Sequence, residues 1–95
     1  MNSKRKKNSY AIARPFTDFG RYLAEKRAEK GFTQRQVSQR LKYSSAQFIS
    51  NFERGIALPP LKNIKILIAM YDLNVSEVVE QYMAVERARV EEALK

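Results

Sequence analysis

A chain of 95 residues, 44% hydrophobic with three glycines and three prolines, has the size and composition of one compact all-α domain. It holds neither cysteine nor histidine, which excludes disulfides, thiolate and imidazole metal sites, cysteine nucleophiles and histidine bases. The net charge of +8 is unevenly placed, because residues 1–65 carry 15 Lys/Arg against 4 Asp/Glu whereas residues 66–95 carry 3 against 6, and such a basic end suits a polyanion.

The first segment, residues 1–15, reads as a basic flexible arm: Lys4, Arg5, Lys6 and Lys7 lie in a polar setting, and Pro15 disfavours helical dihedrals in Arg14. It lacks the apolar stretch of a secretory signal. Thr17 can then cap a first helix over about 18–30, with Phe19, Leu23 and Tyr22 on one stripe and Gly31 as a left-handed terminator. Thr33 and Gln36 have capping-box spacing, and Val37 with Leu41 forms an i, i+4 apolar pair, so residues 34–41 predict a short second helix.

Lys42 and Tyr43 turn the chain. Ser44 or Ser45 can cap a third helix, about 45–54, in which Phe48, Ile49 and Phe52 point inward, Gln47, Ser50 and Asn51 point outward, and Gly55 ends the run. The segment IALPPLKN reads as a loop, since two consecutive prolines can at most open a helix, and Leu61 to Asp72 makes a fourth helix, apolar nearly all round through Ile64, Leu67, Ile68 and Tyr71. Its apolar core of eight residues contains Lys65 and is far below the roughly 20 needed to span a bilayer. Ser76 can cap a last helix with Val78, Val79, Tyr82 and Met83 inward, followed by the charged tail ERARVEEALK. The domain is thus expected at 16–80, with a helical extension at 81–95. Carboxylates are either scattered along basic helices (Asp18, Glu25, Glu29, Glu53) or gathered on the charged last helix (Glu80, Glu86, Glu91, Glu92), where solvation is the simpler reading, so no enzyme is expected.

Helices two and three have the lengths and tight turn of a helix-turn-helix unit, whose second helix enters the major groove of double-stranded DNA. The outward residues Ser45, Ala46, Gln47, Ser50 and Asn51 suit that place. Gln47 and Asn51 share a face and can each bind adenine bidentately, Ser50 can bond a base or phosphate, and Ala46 permits close approach to a thymine methyl. Arg35, Arg40, Lys42, Arg54, Lys62 and Lys65 can neutralise phosphates on either side, with Ser44 and the arm residues Lys4, Arg5, Lys6 and Lys7 as further backbone contacts. A capping box between Ser44 and Gln47, and plain solvation of Asn51, are the bland alternatives.

Over residues 19–79 the chain resembles the lambda-repressor/Cro (XRE-type) helix-turn-helix family, on the ordered set TQRQVSQRL, ISNFERG and LNVSEVV with Arg27 ahead of them. The resemblance implies a five-helix lambda-repressor-like domain, a phosphate contact from Gln34, and a structural ion pair between Arg27 and Glu53. It departs from the family at Lys42, where glycine is usual, and by one extra residue in Tyr43-Ser44-Ser45, which leaves open which serine caps helix three. The function implied is a cytoplasmic bacterial or phage transcription regulator, a repressor acting as a homodimer on an inverted repeat, because one recognition helix reads only a few base pairs. The last helix offers a stripe of Val79, Met83, Val90 and Leu94, interrupted by Glu86 and Arg87, as a dimer surface or as a seat for a toxin or polymerase. The alternatives are an antitoxin that regulates its own promoter, and an RNA-binding or protein-interaction module. RNA binding is disfavoured by the placing of most aromatics at apolar-stripe positions.

Overall fold

The computed structural model describes the backbone of residues 2–95 and the side chains of residues 16–95. Its regular structure among these residues is entirely helical: α1 (Asn2–Glu29), α2 (Gln34–Arg40), α3 (Gln47–Glu53), α4 (Leu61–Tyr71) and α5 (Val75–Ala93). α1 packs against α5 and α3, and α2 packs against α3. The core unites Phe19 and Leu23 of α1, Val37 of α2, Ile49 and Phe52 of α3, Ile64, Leu67 and Tyr71 of α4, and Val78 and Val85 of α5, with Leu41 and Leu73 from the connections.

Four helices end in the same way, and three of the four ends are built on a reverse pair of hydrogen bonds around one left-handed residue. At Gly31 (φ 79) the amide of Phe32 donates to the carbonyl of Arg27, and at Gly55 (φ 77) the amide of Ile56 donates to that of Asn51. At Lys42 (φ 64) the amide of Tyr43 donates to Ser38 at 2.9 Å and that of Lys42 to Gln39 at 3.1 Å. Asp72 (φ 56) closes α4, with the amide of Leu73 on the carbonyl of Ile68. Lys42 therefore takes the backbone conformation that glycine adopts freely, and bears the steric cost of its Cβ there.

α1 and α3 approach to backbone contact. A Cβ placed on Gly20 would lie 2.5 Å from the carbonyl oxygen of Glu53 and 2.6 Å from that of Phe52. The hydrogen at this position is what lets the end of α3 rest directly on α1.

Several expectations are corrected. α1 begins at Asn2 instead of about residue 18, so the segment read as a flexible arm is helical and Thr17 lies inside the helix instead of capping it. A proline inside a helix loses one hydrogen bond and crowds the carbonyl four residues back, and the backbone is helical on both sides of Pro15 all the same. The side chains of Lys4, Arg5, Lys6 and Lys7 lie outside the described residues. α5 is capped by Asn74, whose Oδ1 accepts the amide of Glu77 at 3.0 Å, and not by Ser76. On α5 the inward residues are Val78, half-buried Tyr82 and fully buried Val85, whereas Val79 and Met83 are exposed. The core thus reaches past residue 80 into the segment read as an extension. α4 is buried along one stripe only, with Leu61 and Lys65 exposed.

Candidate nucleic-acid interface

The helix-turn-helix is built from local chemistry. Thr33 Oγ1 accepts the amide of Gln36 at 3.0 Å, and the Gln36 side-chain oxygen accepts the amide of Thr33 at 2.9 Å, so the capping box that opens α2 is complete. Val37 is fully buried and Leu41 nearly so, and they hold α2 to the core. The turn then hinges on Tyr43. Its ring stacks on Phe48 (centroids 4.5 Å apart, 11° between planes) and meets Phe52 edge-on at 5.9 Å, while its hydroxyl accepts a 2.6 Å hydrogen bond from Nδ2 of buried Asn63. Tyr43 belongs to the lengthened turn, and the longer connection is anchored by that ring and hydroxyl to both α3 and α4.

α3 spans Gln47–Glu53, two residues shorter at its start than expected. Ala46 occupies the N-cap without a side-chain bond, and Ser45 Oγ instead accepts the amide of Gln47 at 3.2 Å, so neither serine is the N-cap residue itself. Ile49 and Phe52 face the core. Gln47 and Arg54 are exposed and Ser50 and Asn51 half-exposed on the outer side, with Ala46 partly covered and Ser44 exposed at the turn. Gln47 does not bond Ser44 through a capping box. Its Nε2 donates to Asn51 Oδ1 at 2.9 Å, and Arg54 Nη2 donates to the same oxygen at 3.2 Å.

Phe48 corrects the inward assignment. It is 42% exposed, lying on Tyr43 at the rim of the polar face. Sequence reading missed it because successive helical residues differ by about 100°, so Phe48, one step before buried Ile49, turns onto the flank.

Glu53 points the other way. Arg27 Nε donates to its Oε2 at 2.6 Å and Nη2 to its Oε1 at 3.1 Å, while Nη1 bonds the Phe32 carbonyl at 2.7 Å. Glu53 is 8% exposed, and its hydrogen bond is the main cause that raises the Arg27 guanidinium above its ordinary pKa. Gln34 joins this pair by donating from Nε2 to Glu53 Oε1 at 2.9 Å. The glutamine assigned to phosphate is thus tied at its amide nitrogen to the structural ion pair, at the first residue of α2.

The remaining cations are segregated. Among the described residues, Arg21, Lys26, Arg27, Lys30, Arg87, Arg89 and Lys95 each form an ion pair with a carboxylate. Arg35, Arg40, Lys42, Arg54, Lys62 and Lys65 are all exposed, and none of them pairs with a carboxylate. Arg40, Lys42 and Lys62 line one cleft of about 560 Å³, floored by Tyr43, Pro60, Asn63 and Ile66.

The helix-turn-helix family profile matches residues 23–78, which is more than half of the chain and takes in all of α2, α3 and α4. The chain belongs to the lambda-repressor (XRE-type) helix-turn-helix family. No curated protein and no solved structure is similar enough to match it. Members of this helix-turn-helix family are DNA-binding regulators, and the match covers the ion pair, the turn and the outward face of α3 described above. Among the described residues no helix is long and apolar enough to cross a membrane.

Proposed function

We propose that this helix-turn-helix protein is a sequence-specific regulator that binds double-stranded DNA as a homodimer on an inverted-repeat operator and represses by occupancy. α3 lies in the major groove. Gln47 and Ser50 face base edges with Ala46 and Ser45 at the entry, and Phe48 adds an apolar rim. Arg35, Arg40, Lys42, Arg54, Lys62 and Lys65 neutralise phosphates, joined by the basic residues Lys4, Arg5, Lys6 and Lys7 and by Ser44 at the turn. Gln34, held by Glu53, presents the first amides of α2 toward the backbone.

What supports this reading is the charge segregation: six exposed cations on α2, the turn, the end of α3 and α4 have no carboxylate partner, while the other described cations are paired. Cations left without carboxylate partners raise the local potential for a polyanion. The homodimer is assigned to the exposed stripe of Val79, Met83, Val90 and Leu94 on α5, which the core leaves uncovered.

Selection of bound sequences from random duplexes tests the whole reading. The expected product is an inverted repeat with half-site centres about 34 Å apart, bound with a log affinity that falls steeply against log salt. Equal binding of selected and scrambled duplexes at moderate salt would refute it.

A further inference from the structure

We infer that Asn51 does not read a base but positions Gln47, and that Arg54 sets the direction of this relay. The inference rests on the proposed DNA-reading role of α3 and names the groups that give it selectivity.

An amide side chain is a donor at one end and an acceptor at the other, and which end points where decides what it can recognise. Arg54 removes the ambiguity here. A guanidinium only donates, so the Asn51 atom 3.2 Å from Arg54 Nη2 must be the carbonyl oxygen. That same oxygen lies 2.9 Å from the Gln47 amide, so the Gln47 atom facing it must be the nitrogen. The chain of consequence runs from a group that cannot flip, through Asn51, to Gln47. It uses both acceptor directions of Asn51 Oδ1 and one of the two Gln47 N–H bonds.

What remains on Gln47 is one N–H and a carbonyl oxygen with no partner among the described residues. A donor beside an acceptor is the pattern that adenine complements through N7 and its N6 amino group, whereas guanine presents two acceptors in the major groove. Gln47 is exposed and spaced four residues from Asn51, so the ladder lies along the outer face of α3 with the free edge of Gln47 available. Without the relay the amide can rotate, and both orders of donor and acceptor become accessible. Asn51 therefore acts on base choice through Gln47, as a positioning residue.

Two substitutions, isosteric Asn51→Asp and truncating Asn51→Ala, separate the two roles. Asp keeps an oxygen acceptor for both Gln47 and Arg54 but loses the Nδ2 donor that direct reading of adenine by residue 51 would need. Affinities are measured for wild type, Gln47→Ala, Asn51→Ala, Asn51→Asp and the Gln47→Ala/Asn51→Ala double variant, on selected duplexes in which the base pair sensed by Gln47 is changed in turn. Circular dichroism melts accompany each to confirm folding of these surface variants. Wild type is expected to favour adenine at that step on the order of tenfold or more. Asn51→Ala should reduce the ratio to nearly that of Gln47→Ala, and the double variant should lose nothing further. Asn51→Asp should keep the ratio while weakening all duplexes alike, since it adds a negative charge beside phosphates. The inference is overturned if Asn51→Asp loses the ratio as Asn51→Ala does, if the two alanine variants lose preference at different base pairs and additively, or if the favoured base is not adenine. A wild type with no preference among duplexes would overturn the proposed function itself, which keeps the two failures distinguishable.

Discussion

Replacing Arg27 by Met tests how the recognition helix is fixed. The substitution keeps an unbranched apolar stem and removes the three donors that Arg27 sends to Glu53 and to the Phe32 carbonyl. Glu53 keeps only Gln34 as a side-chain donor, at 2.9 Å. With the Glu53 side chain 8% exposed, little water can replace the lost guanidinium. Stranding a buried charge in this way costs about 3–5 kcal/mol. Against a total of about 5–15 kcal/mol for a domain, that is a large share. Urea unfolding followed by far-ultraviolet circular dichroism should show the midpoint lowered by more than about 1 M, using a slope of about 1–3 kcal/mol per molar. The double variant Arg27→Met/Glu53→Leu should recover most of the loss, because an apolar pair leaves no charge stranded. A single variant that loses less than about 1 kcal/mol, or a double variant no more stable than the single, would refute this reasoning.

Gly20→Ala is expected to destabilise by about 1–3 kcal/mol in a thermal melt, because its Cβ meets two backbone carbonyls of α3 that cannot swing aside, and this outweighs the gain in helix propensity. Lys42→Gly is expected to stabilise by about 0.5–1 kcal/mol by relieving the left-handed lysine, and to reduce the salt slope of DNA binding by about 0.9 if that cation sits on a phosphate. The Tyr22 phenol is pushed up to about 12, first by burial, then by its hydrogen bond to Glu77 and by the charges of Glu77 and Glu29. The folded chain thus holds this proton to higher pH than the unfolded chain does, so the associated stability is intact below pH 10 and is lost as pH rises from 10 toward 12. Tyr22→Phe should flatten that portion of the alkaline fall in melting temperature.

Legibility followed the range of the interaction. The Thr33/Gln36 capping box and the left-handed ends at Gly31 and Gly55 were readable because each is decided by residues a few positions apart. The Arg27–Glu53 pair spans 26 positions and came from the resemblance to the family, not from any local rule. On α5 the stripes Val78/Tyr82/Val85 and Val79/Met83/Val90 have equally good helical spacing, so only packing against α1 decides which is core. The start of α3 falls two positions later than expected, after the lengthened turn whose Tyr43 is anchored by Asn63, 20 residues away. The resemblance marked Lys42 as the place where glycine is usual, and the left-handed φ there was found only in the structure.

The bond from Asn63 to Tyr43 ties the start of α4 to the connection that launches α3. Lys62 stands beside Asn63, and Arg40 and Lys42 precede Tyr43, so one phenol–amide link ties the connection into α3 to the cleft that these three cations line. On the proposed reading, a duplex whose groove does not match that spacing has to deform or lose contacts, which adds DNA shape to what the protein selects.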